Sequence, residues 1–233
     1  MKPFPALSPS SIADFEGCPK RWYLTKIEKK YKFVETEAIT YGNDVHAKLE
    51  SYVKFKTPLP EHLEYVAPVI DELRDGGYTL AAELELIITK DWDPIDDWWN
   101  RTGKVFLRGK VDLVAVNDKH AIILDWKTGK PKPDPFQLNI YGAILMHLFS
   151  LDRVDVGFAW LKDKSSNTYT ITAENFPEIV TDIMQRTDKM KGMYDANDFP
   201  ARTTPLCCWC PAINDCEEAV YYKQNTSRYR KSG

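Results

Sequence analysis

Hydrophobic and polar positions follow two different periods along this chain, and the two periods separate its helices from its strands. Where apolar residues recur every three or four positions, the pattern predicts helices over residues 42–55, 61–74, 134–149 and 173–194, after a short helix that opens near Ser8. Where Val, Ile and Leu follow one another between turn residues, it predicts strands over residues 79–89, 105–116, 121–128, 155–161 and 168–171. A loop over residues 91–102 carries three tryptophans. This order of elements predicts an α/β core.

The composition narrows the class of protein. Of the 233 residues, 43% are hydrophobic and 12% aromatic, which is typical of a globular chain and argues against a disordered one. No run approaches the roughly 20 apolar residues of a membrane-spanning helix, and the first residues lack the apolar core of a secretory signal. We therefore expect a soluble, cytoplasmic protein with no membrane partner, in the host cytoplasm if it is viral. The formal charge of −3 predicts no bulk attraction to nucleic acid.

Two carboxylates and a lysine stand out in the predicted hairpin. If Asp118 and Lys119 form the centre of its turn, Asp112 and Asp125 face each other, and Lys127 shares a strand face with Asp125. On a solvated hairpin such charges simply face water. Here the flanking residues are apolar on both faces, which predicts a central, buried strand pair where unpaired charge is costly. A divalent cation such as Mg²⁺ or Mn²⁺ would neutralise the two carboxylates.

Four motifs contain or flank these residues: Gly42-x-x-Val45-His46-x-x-Leu49-Glu50, Gly109-x-x-Asp112, Asp125-x-Lys127-Thr128-Gly129 and Gln137-x-x-x-Tyr141. Together they resemble the nuclease domains of the RecB and AddB type within the PD-(D/E)XK superfamily, although Val111 stands where that superfamily often has proline. The resemblance implies a restriction-endonuclease-like α/β fold with a mixed central sheet flanked by helices. It also implies a metal-dependent deoxyribonuclease.

The resemblance further implies a role for each site residue. His46, Asp112 and Asp125 would hold the metal together with the backbone carbonyl of Trp126, and Lys127 would orient and help deprotonate the attacking water. The family also carries a glutamate on the strand before the hairpin. Glu83 and Glu85 both qualify, and we prefer Glu85 because it lies deeper in the apolar run.

Gln137 and Tyr141 lie one turn apart on the helix after the metal strand. The resemblance implies that this pair contacts the DNA beside the active site, whereas without it they would be a capping Gln and a core Tyr. A lone helical histidine such as His46 is, in the same way, more often a structural residue.

The cysteines indicate a second centre. Cys207, Cys210 and Cys216 follow a C-x₂-C-x₅-C spacing, and Cys18 is the one cysteine outside residues 207–216. Without a family, zinc would be the default metal for four such thiolates. The resemblance to AddB-type nucleases and to the iron–sulfur exonucleases of the CRISPR-associated Cas-four family instead implies a structural 4Fe–4S cluster on these four residues. Cys208 is then left over.

This assignment divides a single nuclease domain (residues 1–233) into an iron–sulfur flank (1–41 and 200–218), a nuclease core (42–199) and a polar tail (219–233). Basic residues with interleaved aromatics suit single-stranded DNA, and they lie in three places: Lys26, Lys29, Lys30, Tyr31, Lys32 and Phe33; Lys130 and Lys132; and Arg228, Arg230 and Lys231.

We expect an exonuclease on single-stranded or frayed DNA ends, with a helicase, recombinase or CRISPR-adaptation protein as partner. One alternative is a DNA-end-binding or trimming subunit of a recombination or CRISPR-adaptation complex, with little free nuclease activity. A zinc-stabilised DNA-binding protein without catalysis is the other.

Overall fold

The computed structural model describes residues 3–31, 34–131 and 134–226, with side chains up to residue 222. Several of the basic and aromatic residues named above lie outside the described residues: Lys32, Phe33, Lys132, Arg228, Arg230 and Lys231. The chain divides into two compact units. One, here called the terminal unit, comprises Met1–Pro5, Ser10–Val34 and Gln185–Gly233, and the other, the sheet unit, comprises Ala6–Pro9 and Glu35–Met184. The flank and core boundaries given above stay predictions.

The sheet unit is built on one five-stranded sheet in the order β1-β2-β3-β4-β5. The strands are β1 (Thr79–Ile88), β2 (Leu107–Asn117), β3 (His120–Lys127), β4 (Arg153–Trp160) and β5 (Ser165–Thr172). β3 and β4 are parallel, and the other neighbours are antiparallel. The parallel pair needs a crossover, which the helix between β3 and β4 supplies. This confirms the predicted α/β fold with a mixed central sheet and flanking helices.

The register of the central hairpin places the site. Leu113 pairs with Leu124, and Asn117 pairs with His120 beside the turn, which is the predicted register. Asp118 enters the turn with a positive φ of 41°, a conformation that Asp tolerates better than most residues. Leu113 and Ile123 are fully buried. β2 and β3 are therefore central strands whose pairing is held by apolar packing.

Helices cover the sheet. They are α3 (Glu37–Phe55), α4 (Ala67–Asp75) and α5 (Phe136–Phe149), while α6 (Phe176–Asp195) starts in the sheet unit and ends in the terminal unit. The predicted helix over residues 61–74 is two elements, a 3₁₀ helix (Glu61–Val66) and then α4. Pro68 in the first turn of α4 has no N–H to donate to a preceding carbonyl, so an α-helix cannot run through this point without losing a hydrogen bond.

The α3 helix begins five residues before the predicted start, because Thr36 caps it by accepting a hydrogen bond from the Ile39 N–H. Its buried stripe of Val45, Leu49 and Val53 packs with Leu113 and Trp126 in one hydrophobic cluster. This packing fixes the rotation of α3, and with it the direction in which His46 points.

The terminal unit is made of short helical elements around an aromatic core. They are α1 (Pro9–Gly17, with Pro9 in the sheet unit), α2 (Pro19–Trp22), a π-helical turn (Tyr23–Ile27), two 3₁₀ helices (Pro205–Trp209 and Ile213–Asp215) and α7 (Glu217–Thr226). Trp22 is fully buried, meets Phe15 and Tyr194 edge to face, and donates a hydrogen bond to Ser11 Oγ. Residues from both ends of the chain therefore share one small core. Among the described residues, no helix is both long and apolar enough to cross a membrane.

Candidate active site

Three carboxylates lie side by side on three adjacent strands. In the β1–β2 ladder Ala82 pairs with Leu113 and Leu84 with Val111, so Glu83 is opposite Asp112. The β2–β3 register brings Asp125 next to Asp112 on the other side. The ladder omits the Glu83–Asp112 pair itself, and Glu83 has a positive φ of 55°. Regular pairing therefore stops where the carboxylates converge.

A histidine from α3 completes this group. His46 Nδ1 lies 3.2 Å from Asp112 Oδ1 and 3.9 Å from Glu83 Oε1. One ligand atom from each of His46, Glu83 and Asp112 falls within 4.8 Å of the others, and within the described part of the chain no other three His, Cys, Asp or Glu residues do so. The hydrogen bond to Asp112 raises the pKa of His46, and burial together with the nearby Asp112 raises the pKa of Glu83.

Asp125 is the most enclosed member of the site, with 2% of its surface exposed. Its Oδ1 accepts a hydrogen bond of 2.6 Å from Gln137 Nε2, and its Oδ2 lies 2.5 Å from Lys127 Nζ. Oδ2 is buried, and the Lys127 ammonium is its charge partner although the contact is not a regular hydrogen bond. Burial, and the charge of Asp112 beside it, raise the pKa of Asp125 to about 6. A further cation beside this carboxylate would favour its charged form.

Lys127 is held between two acceptors. Its Nζ donates to Gln137 Oε1 at 3.2 Å in addition to its contact with Asp125, and it lies 5.2 Å from the centre of the Phe158 ring. Gln137 therefore bridges the carboxylate and the ammonium group, which is a different arrangement from the capping role that the sequence left open. The NH₂ group of Gln137 binds Asp125, and its carbonyl oxygen binds Lys127.

The backbone of Trp126 enters the site through its N–H, which donates to Asp112 Oδ2 at 2.7 Å. This bond orients the Asp112 carboxylate between β1 and β3. A ligand role for the Trp126 carbonyl oxygen stays a prediction.

Tyr141 supports the site from behind. It is 5% exposed, and burial followed by the charge of Asp125 raises its pKa. A Cβ on Gly109 would come within 2.3 Å of Tyr141 Cε1, so the ring occupies the space that any other side chain at 109 would need. This burial favours the packing role over direct contact with DNA.

The geometry favours Glu83 over the preferred Glu85 as the strand glutamate, and the role of either residue stays a prediction. Glu85 is exposed and lies 3.8 Å from Lys110 Nζ, whereas Glu83 is the glutamate beside His46 and Asp112. Both residues belong to one strand face by alternation, which is why the sequence could not separate them. The positive φ at Glu83 directs its side chain into the cluster.

The site opens into a polar cavity of about 520 Å³. Its lining includes His46, Glu50, Glu83, Lys110, Asp112 and Thr128. The clustered carboxylate oxygens of Glu83 and Asp112 and the ring nitrogen of His46 suit a hard divalent cation such as Mg²⁺ or Mn²⁺. The described residues thus fit the metal that the sequence predicts.

The terminal unit has a different kind of site. Cys18, Cys207, Cys210 and Cys216 line one small cavity together with the cationic residues Lys20, Arg21 and Arg202. Cys18 Sγ accepts hydrogen bonds from the N–H groups of Arg21 (3.5 Å) and Arg202 (3.4 Å). Burial raises the pKa of the Cys216 thiol. Cys208 is outside the lining of this cavity.

Comparisons with known proteins agree with the fold. The model of the PD-(D/E)XK nuclease superfamily matches residues 6–217. Among solved structures, the chain is similar to SSO0001, with a TM-score of 0.50 and 18% identity over 94% of this chain and 89% of that one. It is also similar to an alkaline exonuclease (LHK-Exo) from Laribacter hongkongensis, with a TM-score of 0.35 and 12% identity over 96% and 94%. At these levels the first similarity shows the fold alone, and the second carries no argument about activity. No curated protein matches the chain at a significant level.

Proposed function

The chain belongs to the PD-(D/E)XK nuclease superfamily, and from this premise we propose that it is a metal-dependent exonuclease that acts on single-stranded or frayed DNA ends. The observation that carries the proposal is the convergence of Glu83, Asp112 and Asp125 with Lys127. Strand register and the left-handed backbone at Glu83 bring the three carboxylates together, and a degenerate copy of the site would not keep all four groups.

The residues of the site divide into two groups by what they can do. His46, Glu83, Asp112 and Asp125 would hold Mg²⁺ or Mn²⁺, which when bound lowers the pKa of water and neutralises charge on the phosphate. Lys127 is the nearest cation to Asp125, so its ammonium group can orient the attacking water and stabilise negative charge. Gln137 keeps Lys127 in this position through its bonds to Lys127 and Asp125.

We extend the proposal to a structural 4Fe–4S cluster on Cys18, Cys207, Cys210 and Cys216, as in the AddB-type and Cas-four-like nucleases that the sequence resembles. The four cysteines line one cavity, as the ligands of a shared centre would. Three of them follow the C-x₂-C-x₅-C spacing.

The nuclease proposal is tested with end-labelled single- and double-stranded DNA in the presence of Mg²⁺ or Mn²⁺. Wild type should shorten the labelled strand from its ends, and Asp125→Ala and Lys127→Ala should each lose about 10² to 10⁴ in rate. Asp163→Asn is the matched control, because this aspartate is exposed in the loop after β4. Equal degradation by wild type and both site variants would overturn the assignment. DNA binding without metal-stimulated cleavage would favour the end-binding or trimming subunit.

The cluster is tested separately by spectroscopy. Anaerobically purified protein should be brown, with broad visible absorbance and about four irons per chain. A colourless anaerobic preparation with stoichiometric zinc would replace the cluster with zinc and leave the nuclease assignment intact.

A further inference from the structure

Two tryptophans that the proposed chemistry does not use lie on the loop between β1 and β2. This loop is well organised although it has no regular secondary structure. Asp97 accepts hydrogen bonds from the N–H groups of Arg101 and Thr102 and from the Thr102 hydroxyl, all between 2.7 and 2.8 Å. Asn100 Oδ1 accepts another from the Val105 N–H. Trp98 and Trp99 are therefore presented on a preorganised loop.

The tryptophans of this loop have three different environments. Trp92 packs edge to face against His147 and Phe176, as a core anchor would. Trp98 lies under two cations, with the Arg108 guanidinium 5.2 Å and the Lys110 ammonium 5.9 Å from the centre of its ring. Trp99 is 72% exposed. Because most of Trp99 is exposed, its ring has no packing role in the fold. It follows directly after Trp98, whose ring is covered by two cations.

This surface continues into the metal site. Arg108, Lys110 and Asp112 alternate along β2, so they follow one another at steps of about 7 Å on one side of the strand. Lys110 Nζ is 3.8 Å from Glu83 Oε2 and lines the cavity that also contains His46 and Asp112. Along β2, the surface therefore changes from cationic at Arg108, beside the Trp98 ring, to carboxylate at Asp112.

Cations that attract phosphates and aromatic faces that stack on bases are the combination by which proteins bind single strands. Bases inside a duplex are already stacked, so only a single-stranded or frayed segment can offer a free base to an indole ring. We propose that Trp98 and Trp99 form a base-stacking site for single-stranded DNA, with Arg108 and Lys110 holding the adjacent phosphates and leading the strand to the carboxylates. This inference deepens the proposed function and rests on it for the identity of the substrate.

The test compares Trp99→Ala with Phe55→Ala. Phe55 is also exposed, at 76%, and it ends α3 roughly 13 Å along the helix from His46. Binding of a fluorescent oligothymidylate is measured by anisotropy in EDTA, so that cleavage does not consume the probe, and a blunt duplex serves as the comparison. We expect Trp99→Ala to weaken binding of the single strand by about 5- to 100-fold, the range that stacking of one base accounts for. Phe55→Ala should change it less than twofold, and Trp99→Phe should restore most of it.

Activity separates this inference from the nuclease proposal. With Mg²⁺, Trp99→Ala should raise the KM for single-stranded DNA and leave kcat within about twofold, because Trp99 is not among the groups proposed to bind the metal or act on the phosphate. If Trp99→Ala and Phe55→Ala bind and cleave alike, or if wild type does not bind the oligothymidylate, the stacking site is overturned. If wild type binds through Trp99 but never cleaves, the nuclease proposal falls and the stacking site stands. Unchanged thermal unfolding of Trp99→Ala checks that the exposed position does not support the fold.

Discussion

The two units of this protein both bring together residues from distant parts of the chain, but they do so by opposite means. In the sheet unit, the proposed oxygen and nitrogen ligands stand on long strands and a long helix, and the strand ladders place Asp112 and Asp125. In the terminal unit, the proposed sulfur ligands stand on or beside elements of three to ten residues. The first arrangement is fixed by the protein itself. In the second, the two 3₁₀ helices beside Cys207, Cys210 and Cys216 contain no buried residue, so little packing fixes them.

This difference indicates that the two sites are stabilised in different ways. In the sheet unit, burial and the charge of neighbouring carboxylates raise the pKa values of Glu83 and Asp125. In the terminal unit, ligand binding and folding should be coupled, because metal-binding free energy becomes folding free energy when the site is not preformed.

The largest effect is expected from Cys18→Ala. Structural metal centres contribute on the order of 10 kcal/mol of binding free energy, so loss of one ligand should release the bound metal and unfold residues around Cys207–Cys216. Hydrogen exchange should show lost protection in the terminal unit and retained protection in β2 and β3. Cys208→Ala, a cysteine outside the cavity lining, is the control. Equal protection in both variants would mean that the terminal unit, like the sheet unit, stays folded without a bound metal.

Next in size is Glu83→Gln, tested beside Glu85→Gln on the same strand. Loss of one carboxylate from the cluster should reduce apparent metal affinity and cleavage at limiting metal by about 10- to 100-fold, while Glu85→Gln should stay near wild type. The measurement is a Mg²⁺ titration of cleavage rate. Similar losses in both variants would contradict the assignment of Glu83 to the site.

A smaller effect is expected from Gly109→Ala, which tests how rigid the support of the sheet-unit site is. The new methyl group would overlap the Tyr141 ring, and overpacking of this kind costs about 1–3 kcal/mol. Urea unfolding should show the loss, whereas Gly129→Ala, which meets nothing within 4 Å, should not. Equal stability of the two variants would show that Tyr141 moves freely.

The smallest effect is expected at Asp155, within the sheet but outside the carboxylate site. Partial burial alone would raise the pKa of Asp155, but hydrogen bonds from Thr170, Arg153 and His120 lower it. Because the folded pKa lies below the unfolded one, the charged form stabilises the fold at neutral pH, and this contribution is lost as pH falls through the acidic range below about 4.

Asp155→Asn should therefore be less stable than wild type at pH 7 by less than about 1 kcal/mol, with the difference shrinking towards pH 3. Urea unfolding at several pH values measures it, with Asp163→Asn as the exposed control. If the difference in unfolding free energy grew as the pH fell, the pKa of Asp155 would not be lowered in the folded state.

Much of the sheet-unit site follows from the sequence, because period and register are local properties. The turn at Asp118 sets the hairpin register, and the register places Asp112 beside Asp125. The choice between Glu83 and Glu85 could not be made, since alternation puts both on one face and the positive φ at Glu83 has no sequence signal. The bridging role of Gln137 depends on the side-chain geometry of a helix against β3. The cationic cover on Trp98 depends on how an irregular loop folds back on β2, which no periodicity predicts.

The left-handed backbone at Glu83 has a consequence for laboratory evolution. An L-residue with a side chain is about 1 kcal/mol less favourable there than glycine. A library screened only for heat resistance should therefore enrich glycine or asparagine at position 83, and each enriched clone would lack a carboxylate of the proposed metal site. A screen for heat resistance would select glycine or asparagine at position 83, whereas a screen for turnover would select glutamate.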